Sequence, residues 1–272
     1  MFFRRMLENR MGMIGLAIIL VNVAVAVLAP WIAGDPLKVN VANREAPPSK
    51  EYLFGTDEYG RDIFSRVVYG ARISFYISIL SVVVATIFGV AIGAVAGYYG
   101  RWIDNLLMRI MDAIMSFPAI LLAIGIMAVL GGHLNNVVIA LGFVYIPRFA
   151  RVVRGSVLSL NEKEFVEASL AMGTNDWVIL WRHILPNCMA PLIVQVTVNL
   201  AYAILAEASL SFLGLGAPPP APSWGNILSD ARNFMLDAPW MTVFPGIAIS
   251  LAVLGFNLFG DGLRDVLDPR MK

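Results

Sequence analysis

The sequence has little charge and few residues of the types that bind metals. Only 14% of its 272 residues are Asp, Glu, Lys or Arg, where about a quarter is usual for a soluble domain. The single cysteine, Cys188, excludes an internal disulfide and any CxxC motif. The two histidines, His133 and His183, have no second histidine or cysteine at ligand spacing, so we expect no metal site. A net charge of +1 excludes the strongly basic field that attracts nucleic acid.

Three motifs of hydrolytic enzymes are also missing. No G-x-x-x-x-G-K-[ST] segment occurs, so the chain lacks the Walker A loop that holds the phosphates of ATP. H-E-x-x-H and G-x-S-x-G, which mark many metalloproteases and serine hydrolases, do not occur either. We therefore expect no catalytic residue and no cofactor on this chain, which would not be an enzyme by itself. The energy for any active process must then come from another subunit.

Long apolar runs dominate what the sequence does contain. Hydrophobic residues make up 58% of the chain, and a membrane-spanning helix needs about 20 of them in succession. The sequence predicts an all-α, polytopic membrane protein with six transmembrane helices. These spans are predicted at residues 12–33, 73–98, 111–131, 135–153, 190–213 and 240–260. The first run is too long for a signal peptide, so we interpret it as a retained anchor.

The distribution of Lys and Arg predicts the orientation. With six spans, both termini lie on the same side of the membrane. Thirteen of the twenty Lys and Arg residues lie on that side, and seven lie on the other. The positive-inside rule then places both termini in the cytoplasm. Five of the thirteen cations belong to a predicted cytoplasmic loop at 148–187, which begins with Arg148, Arg151 and Arg154. Six of the outer cations lie in one loop, 34–72, with six acids, so we expect that loop to be a small folded element.

A charged segment between the fourth and fifth runs, EFVEASLAMGTNDWVILWRHILPN (164–187), is unusual in so apolar a chain. Phe165, Ser169 and Met172 recur at helical spacing, with Val166 and Leu170 beside them. Trp177, Leu180 or Trp181, and Ile184 make the apolar face of a second helix. Gly173 can end the first helix, residues 174–176 can cap the second, and Pro186 would stop it. The pattern predicts two short amphipathic helices folded back across a glycine. Periodicity alone leaves open whether they lie flat at the membrane interface or dock on a partner.

The same segment resembles the EAA loop of ABC importer permeases, the cytoplasmic element that docks into a groove on the ATPase subunit. The family pattern is EAA, three residues, G, nine residues, I, one residue, LP. Here Ser169 replaces the second alanine and His183 the isoleucine. The resemblance therefore implies an ATPase-coupling loop that contains Glu167, Ala168, Ser169, Gly173, Trp177, His183, Ile184, Leu185 and Pro186.

Three further segments, 53–75, 204–232 and 256–270, are similar to the dipeptide/oligopeptide branch of these permeases, in the same order along the chain. The segment before the first span and the loop after it resemble the C-type permease of that branch. The resemblance divides the chain into an N-terminal span with an extracytoplasmic loop, 1–72, and a MetI-like permease core, 73–272.

The resemblance also implies the complex and its cargo. It implies a bacterial inner-membrane importer with a second, homologous permease, two ATPases that carry ATP and Mg, and an extracytoplasmic binding protein. This chain would form half of the translocation pathway for di- and oligopeptides. Nickel–chelator complexes and glutathione are alternative substrates, because importers of this type share the permease. A secondary carrier and an intramembrane enzyme are rival interpretations. The EAA-like loop disfavours the first, and the missing catalytic motifs disfavour the second.

Small residues recur every four positions along the second run, ending in Gly89, Gly93 and Gly97. Such ladders let helices approach closely in lipid. They serve either packing within the bundle or a subunit interface.

Four polar residues of the fifth run fall within one narrow sector of the helix. These are Gln195, Asn199, Tyr202 and Ser209. Polar side chains rarely face lipid, so this stripe lines a translocation pathway or contacts a partner helix. Glu207 lies off the stripe, near the outer end of the run. It belongs to an outer gate or is hydrogen-bonded to a neighbouring helix, and the sequence leaves both possibilities open.

Overall fold

The computed structural model of the chain describes residues 6–267, and helices dominate this part. The only strand-like pairing among these residues is an isolated antiparallel bridge between Thr56 and Asp62. A 3₁₀ turn, Val41–Asn43, lies in the first loop. The helices are α1 (Arg10–Ile32), α2 (Ile63–Tyr99), α3 (Arg101–Met115), α4 (Ala119–Leu130), α5 (Leu134–Asn161), α6 (Glu164–Ala171), α7 (Asp176–Phe212), α8 (Trp224–Ala231) and α9 (Trp240–Leu267).

Five helices of the described part are long and apolar enough to cross a membrane. They are α1, α2, α5, α7 and α9. They match the spans predicted at 12–33, 73–98, 135–153, 190–213 and 240–260, except that α1 and α7 each end one residue before the predicted span does. The predicted all-helical membrane fold is confirmed.

The remaining span, predicted at 111–131 as one helix, is a bent pair. Helices α3 and α4 meet at 87° across the break at residues 116–118. Pro118 has no N–H and restricts the residue before it, which explains the break. With 12 residues, α4 rises only about 18 Å, less than the ~30 Å hydrocarbon core. Residues 6–267 contain six candidate spans only if this bent pair counts as one.

Helix α5 extends to Asn161, so the predicted loop at 148–187 is wrong at its start. Arg148, Arg151 and Arg154 all lie on the helix, because Pro147 is accommodated within it. The Arg154 guanidinium forms a bidentate ion pair with Asp104 of α3. Arg151 pairs with Asp112 of α3 at 2.5 Å. These pairs hold the amphipathic α3 against α5. The other cations used for orientation include Arg4, Arg5, Arg270 and Lys272, which lie outside the described residues.

The bundle is held by close helix contacts at glycines. Gly89, Gly93 and Gly97 of α2 all face α5, and a Cβ at Gly93 would lie 2.4 Å from the Ala150 carbonyl oxygen. Helices α1 and α9 approach as closely, because a Cβ at Gly262 would lie 2.5 Å from the Gly12 Cα. Such distances leave no room for a side chain, so backbone contact and dispersion hold these helix pairs together.

The segment between α1 and α2 folds against the start of α9. Phe54 stacks on Phe244 with ring centroids 3.9 Å apart. Trp240 Nε1 donates a hydrogen bond to the Thr56 carbonyl at 3.2 Å. This agrees with the folded element expected at 34–72, although residues 63–72 are the first turns of α2.

Buried ion pairs tie this folded segment to α8. Arg66 binds Asp57 at 2.5 Å and Asp230 of α8 at 3.0 Å, and Arg61 binds Asp57 at 2.6 Å. Burial raises the pKa of the neighbouring Glu58 carboxyl above its ordinary value. Removing one partner of such a pair leaves an uncompensated buried charge, so the network fixes α8 on the loop.

Candidate functional site

A sharp reversal separates α6 from α7. Gly173 has a φ of +71°, in the left-handed region. The Thr174 N–H donates to the Ser169 carbonyl at 3.1 Å, and the Gly173 N–H donates to the Leu170 carbonyl at 3.0 Å. These two bonds form a Schellman cap, which satisfies carbonyls at the end of α6. The cap fixes the direction in which the chain leaves the helix.

The start of α7 is capped and is attached to the bundle. Asn175 Oδ1 accepts a hydrogen bond from the Trp177 N–H at 2.9 Å. The Tyr98 hydroxyl at the end of α2 donates to Asp176 Oδ1 at 2.9 Å. Val166 of α6 and Ile179 of α7 are buried in the same apolar cluster as residues of α5. The hairpin is therefore packed against the bundle.

The prediction that Pro186 stops the second helix is wrong. Helix α7 continues from Asp176 to Phe212 through a π-helical turn, Ile179–Ile184, and a 3₁₀ turn, Leu185–Cys188. Pro186 lies in the first turn of the 3₁₀ segment, where its missing N–H is tolerated. The second helix of the hairpin is thus continuous with the helix that forms the next candidate span.

The predicted coupling residues divide between the hairpin surface and its core. Ser169, Ile184 and Leu185 are buried, and Ser169 Oγ donates to the Phe165 carbonyl at 2.8 Å. Glu167, Ala168, Gly173, Trp177 and Pro186 are exposed, and His183 is half-buried.

Large apolar side chains cover the exposed side of the hairpin. They form what we call the hairpin surface, which consists of Phe165, Leu170, Met172, Trp177, Val178 and Trp181. Met172 is 77% exposed and Trp181 56%. Apolar patches of this kind mark sites of contact with another protein or with the membrane. Trp177 and Trp181 therefore face outward, whereas Leu180 and Ile184, predicted on the same apolar face, are buried in the bundle.

Residues of the polar stripe predicted on α7 line two separate clefts. Gln195 lines one cleft with Arg264 of α9. Tyr202 and Ser209 line another, of about 280 Å³. Asn199 lies between them and is buried, its amide N–H donating to the Gln195 carbonyl at 2.8 Å.

Arg148 also lines the second cleft, although it was not among the predicted pathway residues. Its Cζ is 4.9 Å from the centroid of the Tyr202 ring and 5.2 Å from that of Tyr145. The position falls near the middle of the 28-residue α5, and intramembrane charges of this kind mark substrate pathways. A signal was available in the sequence, because Arg148 lies inside the apolar run predicted at 135–153.

Glu207 is fully buried, and its carboxylate accepts a hydrogen bond from Ser211 Oγ at 2.7 Å. Ser74 and Ser223 also lie beside it. These contacts tie α7 to α2 and to the segment before α8. They correspond to the hydrogen-bonded alternative for Glu207, and no cleft described above includes it.

Family models match both parts of the chain. Residues 89–272 match the binding-protein-dependent transport system inner membrane component. The chain belongs to this family. Residues 1–48 also match the N-terminal TM domain of oligopeptide transport permease C. The chain is therefore a permease of the ABC importer type, a multi-pass protein of the inner membrane, in a family that works with ATPase and binding-protein partners.

Similar proteins extend over the whole chain. A Brucella abortus protein that carries the name of a peptide transport system permease is 55% identical over 99% of this chain and 91% of its own length. The dipeptide transport system permease protein DppC of Alkalihalophilus pseudofirmus is 50% identical over 99% and 89%. The glutathione transport system permease protein GsiD of Pectobacterium atrosepticum is 45% identical over 100% and 91%.

One solved structure shares the fold. An inward-facing crystal form of the MetNI methionine ABC transporter matches with a TM-score of 0.56, over 76% of this chain and 98% of that one. At 22% identity this likeness concerns the fold alone.

Proposed function

We propose that this chain is one permease subunit of an ATP-driven importer of di- and oligopeptides. The names of the Brucella and Alkalihalophilus relatives support a peptide substrate, at 55% and 50% identity over nearly the full length. The hairpin surface is the observation that supports coupling. It exposes six large apolar side chains on a packed hairpin that continues into α7.

The coupling mechanism follows from the connection between hairpin and span. The hairpin surface docks in a groove of the ATPase, with Glu167 exposed beside it to pair with a cation there. Because α7 starts inside the hairpin, movement of the ATPase displaces α7 as one body. The face of α7 that carries Gln195, Tyr202 and Ser209 then opens toward one side of the membrane or the other.

The complex we propose contains a second, homologous permease as a heterodimer partner, two ATPases and an extracytoplasmic binding protein. ATP and Mg bind to the ATPases, and this chain is not an enzyme by itself. The Pro118 break and the two clefts on α7 lie on surfaces where the second permease completes the pathway. Sequence positions 1–72 and 73–272 remain the proposed division between the N-terminal part and the permease core.

The orientation we propose places both termini and the hairpin in the cytoplasm. It predicts that a cysteine at the exposed position Asn175, in a Cys188→Ser background, reacts with a membrane-impermeant maleimide only after the cells are opened. A cysteine at Leu236, which is 97% exposed between α8 and α9, is the matched control and reacts in intact cells. The reverse pattern of labelling contradicts the proposed orientation.

Competition for uptake tests the substrate. In a strain that lacks this chain, plasmid-borne wild type restores uptake of a labelled dipeptide, and excess unlabelled dipeptide or longer peptide competes with it. Glutathione is the second candidate, because of the 45% identical GsiD relatives, and nickel–chelator complexes are a third. Restored uptake of glutathione or nickel, without uptake of dipeptide, overturns the peptide assignment.

A further inference from the structure

We infer that Arg148 receives the carboxylate of the substrate within the membrane. The inference rests on the proposed function and adds a specificity-determining residue to it. Arg148 lies between the Tyr145 and Tyr202 rings and opens into the cleft of about 280 Å³ that Ser209 also lines.

The position of Arg148 is unfavourable for a residue with only a structural role. Both ends of α5 lie at least 13 residues away, or about 20 Å at 1.5 Å per residue. Arg148 lies inside the apolar run predicted as a span at 135–153. A charge at this depth persists where it faces a water-filled path or a partner group.

No group of the described chain neutralises Arg148. Within residues 6–267 its guanidinium makes no ion pair and no hydrogen bond, whereas Arg151 and Arg154 of the same helix both pair with acids of α3. The cleft around Arg148 contains no acidic residue in the described part of the chain. Its N–H donors have no partner among the described residues and are therefore available to a ligand.

The two aromatic rings position the guanidinium and leave its edge free. An arginine that lies over aromatic faces is held by cation–π attraction and is weakly hydrated. Its planar fork matches a carboxylate with two parallel N–H···O bonds. Peptides with a free C-terminus carry this group whatever their side chains, so one arginine can serve a transporter of varied sequences.

A single strong contact also suits transport. A site on a translocation path must bind well enough to admit the solute and weakly enough to release it. The remaining lining of the cleft is mostly apolar or aromatic, including Leu141, Val144 and Leu205. The cleft therefore recognises the charged end of a peptide and accepts its side chains without specific bonds.

The test uses the complete reconstituted importer with its binding protein and two probes, a dipeptide and the same dipeptide as its C-terminal amide. Both are supplied at concentrations that saturate the binding protein. Uptake by each variant is divided by wild-type uptake of the same probe, which cancels the preference of the binding protein. We expect Arg148→Gln to lower uptake of the acid about 10-fold, equivalent to about 1.4 kcal/mol, and uptake of the amide less than 2-fold.

Two further variants keep the test decisive. Arg148→Lys retains the charge but loses the bidentate fork, so its uptake of the acid should lie between wild type and Arg148→Gln even if the neutral variant assembles poorly. Arg151→Gln, one turn along the same helix, should affect both probes equally. If Arg148→Gln and Arg148→Lys lower both probes equally, Arg148 pairs with an acid of the second permease or only supports the fold, and the inference is overturned. A wild-type complex that transports neither probe would overturn the proposed function, and this inference with it.

Discussion

Replacing Gly173 with valine should abolish most transport while leaving the membrane spans intact. Gly173 has a φ of +71°, and the Schellman bonds at the end of α6 depend on it. A β-branched residue does not reach this region without strain of about 1–3 kcal/mol. The alternative for the chain is a different turn, which rotates α6 and disrupts the hairpin surface. Uptake and binding-protein-stimulated ATP hydrolysis by the reconstituted complex measure the effect.

The structure supplies graded controls at the same position. A Cβ at Gly173 would meet no atom within 4 Å, so backbone conformation alone causes the effect. Gly173→Asn should transport nearly like wild type, because asparagine tolerates the left-handed region. Gly173→Ala should be intermediate. Equal transport by the valine and asparagine variants, at matched expression, would mean that residues 164–187 do not act as a coupling lever.

Replacing Gly93 with leucine should prevent a stable bundle from forming. A Cβ at this position would lie 2.4 Å from the Ala150 carbonyl oxygen and 3.0 Å from the Val153 Cβ. The first of these atoms is backbone, so α2 and α5 must separate along their whole contact. Overpacking by a few methyl groups already costs about 1–3 kcal/mol in well-packed interiors. Recovery of monodisperse complex after solubilisation, and its thermal stability, should both fall sharply.

The matched control for this prediction is a glycine of α5 that lies outside the contact with α2. Gly155 of α5 has no atom within 4 Å of a Cβ placed on it. Gly155→Ala should therefore leave recovery and stability near wild type, while Gly93→Ala lowers both by less than Gly93→Leu does. A Gly93→Leu complex as stable as wild type would show that the α2–α5 contact in the structure is not the one present in the membrane.

The long spans could be predicted because lipid imposes a simple rule on them. Runs such as 12–33 and 240–260 have no alternative to crossing the membrane, since a helix satisfies every backbone group within one segment. The Gly173 turn could also be located, because glycine reaches positive φ at little cost. Local composition was sufficient in both cases.

Features that depend on distant partners could not be predicted. Proline gives opposite results at two positions. The helix breaks before Pro118, whereas α7 continues through Pro186. Pro186 falls in the first turn of a 3₁₀ segment that the surrounding helix tolerates, whereas the residues at 116–118 form a sharp corner. Local sequence does not distinguish these outcomes, which tertiary packing decides.

The position of Arg148 was missed for a related reason. The predicted span at 135–153 and the predicted loop at 148–187 overlap at Arg148, which was counted with the cations of the loop. The structure shows α5 continuing to Asn161, with Arg151 and Arg154 neutralised by acids of α3. Those acids are about 40–50 residues away in sequence and belong to a different helix. Only the fold brings them together.

The most direct test of the central claim is dipeptide uptake into proteoliposomes that contain this chain, its partner permease, the ATPases and the binding protein. We expect accumulation against a gradient that requires ATP hydrolysis. It should be lost together with stimulated ATPase activity when Trp177 and Trp181 on the hairpin surface are both replaced by aspartate, although the permease pair still assembles. Uptake that continues without ATP, or that a proton or sodium gradient drives, would contradict the claim. The chain would then act as a secondary carrier.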